Sequence, residues 1–325
     1  MSATTTDSGC ARAPFDHSKG DIILRSSDGI NFRVIKLFLS LASPFFETLF
    51  SIPQPAEANG DQEVRDGLAV IPVTEDSKTL DSLLRFCYPC TFAGDPKIEG
   101  LKDAMDVLEA ARKYSLDIIE EKARQAIVTP KMLEAEPLQC FAVACQGRLR
   151  EETLLAAKYT LTQPLIPPLF REAELITLSD LFSLFAYHQK CGDDVYALRL
   201  NLSWVRSHPM VSKAWPWLSH GCYCDDDSDC ECPRSGTRRF SSTVPPKWWE
   251  DFMEDTFTAL RNKPCKETVR AFTERTVKLV EALDCPACSS TMAEIVREYS
   301  GLLVRKVEEV VSKVSCTPTM IRCKA

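Results

Sequence analysis

Apolar residues follow two rhythms along this chain: short dense runs near the N-terminus, and a spacing of three or four afterwards. Ile22-Ile23-Leu24 and Phe32-Arg33-Val34-Ile35 flank Ser26-Ser27-Asp28-Gly29. An Asp-Gly pair between two β-rich runs predicts a hairpin. Residues 1–14 are small and polar without periodicity and are expected to be a disordered tail. Leu37, Leu39 and Leu41 then precede Ser43-Pro44, where Ser43 is placed to cap a helix and Pro44 to fill its first turn. Phe45, Phe46, Leu49 and Phe50 are expected to form that helix's buried face. Residues 51–67 carry Pro53, Pro55, Asn59 and Gly60 among mixed charges and read as a surface loop. Leu68-Ala69-Val70-Ile71 reads as a strand that Pro72 ends or places at a sheet edge.

From Ser77 the spacing of Leu80, Leu83, Leu84 and Cys87 predicts a helix that Tyr88-Pro89 stops. Leu101, Met105, Leu108 and Ala111 mark another, closed by Ala110-Ala111-Arg112-Lys113-Tyr114, and Ile118, Ile119 and Ala123 resume the pattern. Strands first and helices afterwards give an α+β domain. Residues 129–200 read as helices only, at Pro137–Ala144, Leu154–Tyr159 and Leu178–His188, punctuated by Pro164, Pro167 and Pro168. The last third predicts three helices. Trp249, Phe252, Met253, Phe257 and Leu260 mark the first, and Val269, Phe272, Val277, Val280 and Leu283 the second. Ile295, Tyr299, Leu302, Val307, Val310 and Val314 mark the third, so Cys285 and Cys288 fall in the turn of a helical hairpin.

Composition narrows the function. The 325 residues are 45% hydrophobic and 26% charged, with length for two or three domains. A net charge of −7 gives no overall attraction for nucleic acid or an anionic membrane. The N-terminus lacks the basic and apolar regions of a signal peptide, and no run of 18 or more apolar residues predicts a membrane span. Fifteen cysteines are therefore expected in a reducing compartment, the cytoplasm or nucleus.

Asp21-Ile22-Ile23-Leu24, the run from Phe32 through Ser43-Pro44-Phe45-Phe46, and Leu83-Leu84-Arg85-Phe86-Cys87-Tyr88-Pro89 together resemble a BTB/POZ domain. Leu108-Glu109-Ala110-Ala111-Arg112-Lys113-Tyr114 resembles the fungal (basidiomycete-like) version, whose chain continues as helices and a cysteine-containing C-terminal segment. One departure is Ile35, where the family usually has a histidine in polar contact with the aspartate matching Asp21. The implied organisation is a BTB/POZ-like domain over residues 15–128, an all-α extension over 129–200, and a zinc-stapled helical region over 201–325.

Cys285-Pro286-Ala287-Cys288 has the spacing that lets two thiolates face one metal ion. Cys222-x-Cys224 and Cys230-x-Cys232 are tighter than usual, so the second pair is open between them, with His220 as a substitute ligand. The fungal resemblance implies Cys222 and Cys224, which follow the tryptophan-rich stretch, together with Cys285 and Cys288. Asp225, Asp226, Asp227 and Asp229 add to the negative charge of a four-thiolate site and so work against it, and Arg234, Arg238, Arg239 and Lys247 offset that charge. The expectation is one structural zinc ion without an open position for water or substrate. The six-cysteine basic segment of a fungal DNA-binding zinc cluster is missing, so nucleic acid is not an expected partner.

No Gly-x-Ser-x-Gly, His-Glu-x-x-His or phosphate-cradling glycine loop occurs. His188 reads as a surface or end-of-helix histidine, on a helical pattern ending at Gly192-Asp193, rather than as the partner of Cys191 in a nucleophile pair, and Glu120-Glu121 and Glu151-Glu152 read as solvated faces. The tryptophans at 204, 215, 217, 248 and 249 read as core around the cysteine-stabilised region rather than a ligand groove. The chain thus reads as a non-enzymatic interaction protein. For a BTB domain the resemblance implies homodimerisation or binding to a cullin-type ubiquitin ligase scaffold. A transcription-linked nuclear scaffold and a zinc-dependent enzyme using the C-terminal cysteine loop are the alternatives.

Overall fold

The hairpin around Asp28-Gly29 forms the start of a small mixed sheet: β1 (Ile22–Arg25) pairs antiparallel with β2 (Asn31–Val34), with Leu24 opposite Phe32. Gly29 takes φ +85°, a conformation that costs glycine nothing. This computed structural model describes residues 9–52, 63–94, 96–164, 166, 170–201, 203–206, 247–282 and 286–316. They fall into two compact units that divide between Thr153 and Leu154.

In the first unit, α1 (Lys36–Ala42) and α2 (Pro44–Ser51) follow the hairpin. The sheet is completed by β3 (Val64–Arg65) and β4 (Leu68–Pro72), in the order β2-β1-β4-β3. β4 lies parallel to β1, so β1 is flanked on both edges, and Ile22, Ile23 and Leu24 are all buried. Pro72 ends an inner strand rather than lying on an edge strand. The expected surface loop over 51–67 closes in a strand: Asp66 and Gly67 both take positive φ (53° and 75°) and make the two-residue turn between β3 and β4.

Among the described residues seven more helices follow before Pro164, the last of them spanning the point where the units divide, and they were expected only in part. α3 (Ser77–Cys87) is capped by the Asp76 carboxylate, which accepts from the Thr79 amide at 2.7 Å, and buries Leu80, Leu83 and Leu84. The short α4 (Cys90–Ala93) follows Tyr88-Pro89. α5 (Leu101–Lys113) and α6 (Asp117–Ile127) pack together, joined through Ser115 at φ +52°. α7 (Pro130–Ala135), which no periodicity announced, precedes α8 (Pro137–Gln146) and α9 (Arg150–Thr160). α8 is apolar almost all round, with Cys140, Phe141, Ala142, Val143, Ala144 and Cys145 buried.

In the second unit a 3₁₀ turn at Arg171–Leu175 precedes α10 (Leu178–Ala197), capped by Thr177, whose hydroxyl oxygen accepts from the Asp180 amide at 3.1 Å. α11 (Ser203–Arg206), α12 (Lys247–Asn262), α13 (Lys266–Glu281) and α14 (Pro286–Lys313) complete the described elements. α10 packs on α12 and α14, and α13 packs on α12 and α14. Trp249, Phe252, Phe257, Val280, Val296, Tyr299 and Leu303 share one core. Gly192, expected to end a helix, lies inside α10, at a point where a Cβ would come within 2.2 Å of the Arg261 carbonyl oxygen on α12. It is a packing glycine rather than a stop signal.

Candidate protein-interaction surface

Leucines 37, 39 and 41 lie two residues apart, a spacing that a helix sends to opposite faces. Leu39 is buried in the first unit, while Leu37 is 61% and Leu41 77% exposed. Four residues apart, the latter two lie on one face of α1. On α2 the expected buried face is narrower than its sequence suggests. Phe46 is buried, Leu49 and Phe50 are half-buried, and Phe45 is 40% exposed. The reason lies in the packing of Tyr114, which stacks on Phe46 with ring centroids 4.9 Å apart and meets Phe45 edge-on at 5.3 Å. Tyr114 covers one side of Phe45, Phe46 meets it at 5.5 Å, and the ring stays partly in solvent.

This surface is held by backbone bonds from all round the unit. The Lys36 amide, first in α1, donates to Asp21 Oδ1 at 2.8 Å, and the Ile35 amide donates to the Tyr88 hydroxyl at 2.8 Å. Burial foremost pushes the Tyr88 phenol up to about 12, so it stays protonated. Ser43 is buried between α1 and α2. Its Oγ accepts from the Phe46 amide at 3.2 Å and donates to the Tyr114 carbonyl. The Tyr114 hydroxyl in turn donates to Glu75 Oε2 at 2.6 Å, and Lys113 Nζ donates to Glu75 Oε1 at 2.8 Å. Burial works to raise the Glu75 carboxyl, but the bonds from Lys113 and Tyr114 outweigh it and leave the group below the usual carboxylate range. The end of α5 and the start of α2 are thereby tied to one half-buried carboxylate.

The sequence-predicted metal ligands are a different matter. His220, Cys222, Cys224, Cys230, Cys232 and Cys285 lie outside the described residues, and so does the side chain of Cys288 in the first turn of α14. Among the described residues no group of three or more His, Cys, Asp or Glu side chains is placed to hold a metal ion. One further Cys-x-x-Cys, Cys87-Tyr88-Pro89-Cys90, was passed over by sequence reasoning. Tyr88 (ψ 152°) and Pro89 (ψ 132°) are extended, which sets the two Cα atoms about 10 Å apart, beyond disulfide reach.

Two other sequence readings change. His188 is buried rather than on the surface or at a helix end, with Nε2 3.2 Å from the Gln163 carbonyl and Nδ1 without a partner. Burial lowers its pKa and raises the nearby Cys191 thiol to about 11, which removes the thiolate a nucleophile needs. Glu152 is buried and bonded to Arg124 at 2.8 Å, whereas Glu120 pairs with Arg112 at 2.8 Å nearer solvent. Trp249 is core, with Trp204 and Trp248 packed against it; Trp215 and Trp217 lie outside the described residues.

Among the described residues no helix is long and apolar enough to cross a membrane. Residues 15–131 match the family model of the BTB/POZ domain. No curated protein matches the chain. The chain thus carries a BTB/POZ domain, within an α+β first unit, and with it a protein-interaction or adaptor role.

Proposed function

We propose that this chain is a non-enzymatic adaptor whose BTB/POZ domain self-associates through the outer faces of α1 and α2. The exposure of Leu37, Leu41 and Phe45 beside a rigidly bonded backbone carries the reading. Exposed apolar residues on two neighbouring helices suit an isologous contact, in which the same surface serves both copies. The test is the mass of the full chain by light scattering, for the wild type and for Leu41→Asp. A dimer that the substitution turns into a folded monomer supports the reading. A wild-type monomer at all concentrations overturns it and favours single-copy binding, for which a cullin-type scaffold is the partner to try first; a transcription-linked scaffold is the next.

We further propose one structural zinc ion held by Cys222, Cys224, Cys285 and Cys288, with His220, Cys230 and Cys232 as substitutes. The support is the ligand spacing together with the start of α14 at Pro286. That start puts Cys288 in the first turn, where the dipole favours a thiolate.

A further inference from the structure

In an antiparallel pair, alternate residues of a strand bond to the partner and the others turn away. On β2, Phe32 and Val34 face β1, so Asn31 and Arg33 present their backbone groups on the outer edge. The chain's own N-terminal segment meets them there. The Asn31 amide donates to the Gly9 carbonyl at 2.8 Å, its carbonyl accepts from the Ala11 amide at 2.9 Å, and the Arg33 amide donates to the Phe15 carbonyl at 2.8 Å. The Asn31 side chain adds a second bond to Gly9, also at 2.8 Å. Part of the stretch expected to be a tail is therefore a strap along the sheet edge.

The strap has an anchor. Phe15 is wholly buried, edge-on to Tyr88 at 5.3 Å and tilted against Phe32 at 5.7 Å. The Arg85 guanidinium lies 5.5 Å from the Phe15 ring centroid and reaches the Ala13 carbonyl at 3.4 Å. Arg85 is itself fixed by two bonds to Asp81, at 2.6 and 3.0 Å, and one to the Ala93 carbonyl at 2.7 Å. Cys10 within the ladder, and Arg12 and Ala13 between the ladder and the anchor, are exposed.

We propose that the outer edge of β2 and the Phe15 pocket form a docking site for an extended peptide in trans, which residues 9–15 occupy in cis. An edge that supplies backbone bonds and a pocket that takes one large side chain are the two components of strand-addition recognition. The strap fixes the partner's chemistry: an extended segment with an aromatic residue four positions after the last residue bonded to Asn31. Cis occupancy acts as a built-in competitor at high effective concentration, so the site binds strongly in trans only when the strap is loosened.

The first test is amide hydrogen exchange on the full wild-type chain at residue resolution. A strap that leaves without unfolding the sheet makes the Asn31 and Arg33 amides exchange at least about tenfold faster than those of Phe32 and Val34. Equal rates at all four make the strap an inseparable part of the sheet and overturn the proposal. The second test titrates a labelled synthetic peptide of residues 8–18 into the full chain. Binding to Phe15→Ala at least about tenfold tighter than to wild type, and lost when the peptide carries Phe15→Ala, supports the site. No binding to a folded Phe15→Ala chain, or equal binding to both chains, overturns it. If that variant does not fold, the exchange rates decide alone.

Discussion

Asp21 accepts the backbone amide of Lys36 at 2.8 Å, fixing the first turn of α1 from the residue that leads into β1. The contact uses main chain and not the side chain at position 35, so Ile35 in place of the family's usual histidine leaves it intact. Asp21→Ala removes this acceptor and is expected to cost about 1 kcal/mol of stability, with Asp21→Asn closer to wild type. Urea unfolding of the three proteins checks the order.

Phe45 and Phe46 are neighbours in sequence with opposite duties. Phe46→Ala empties a buried site and is expected to destabilise the fold by about 3–5 kcal/mol. Phe45→Ala, on the exposed face, is expected to cost less than about 1 kcal/mol while weakening self-association. Paired unfolding and sedimentation measurements separate the two effects.

Gly192→Ala forces a methyl group onto the Arg261 carbonyl, which is backbone and unable to swing aside. A loss of about 1–3 kcal/mol is expected, despite alanine's better helix propensity. A rise in melting temperature would contradict the close approach of α10 and α12.

His188 gives a pH dependence with a definite sign. Burial holds its folded pKa below the ordinary value, so the unfolded chain takes up the proton first. Its contribution is intact above the unfolded pKa of about 6.5 and is lost as pH falls toward the folded value. Between pH 7 and 5.5 the wild type is expected to lose stability more steeply than His188→Gln. Parallel slopes would show that other groups carry the dependence.

Protein purified without added metal is expected to contain one zinc ion per chain. Cys285→Ser with Cys288→Ser is expected to lose it and to lower the stability of the second unit. Elemental analysis with thermal unfolding reads both, and a zinc-free wild type removes the metal from the account.

Where the deciding physics is local, the sequence was readable. Asp28-Gly29 named the hairpin, Ser43-Pro44 the start of α2, and Leu80, Leu83 and Leu84 the buried face of α3. Asp66-Gly67 carried the same turn signal as Asp28-Gly29, but the polar residues before it outweighed two strand residues. Gly192 and His188 failed for a different reason. What decides each is a distant carbonyl, of Arg261 and of Gln163, that no local window contains. The interaction surface was half legible: the apolar residues stood out, but only the helical geometry of α1 separated Leu39 from Leu37 and Leu41.

The parallel pairing of β1 with β4 also sets an order of events during synthesis. The β1–β2 hairpin closes over a few residues, but Ile23 meets Val70 only after α1, α2 and the β3 turn have emerged. Until then one edge of β1 and its apolar side chains lack their inner neighbour, and closing so long a loop is slow. A nascent chain stalled ahead of Leu68 would expose a sticky strand edge, which makes this stretch of translation one at which a chaperone can act.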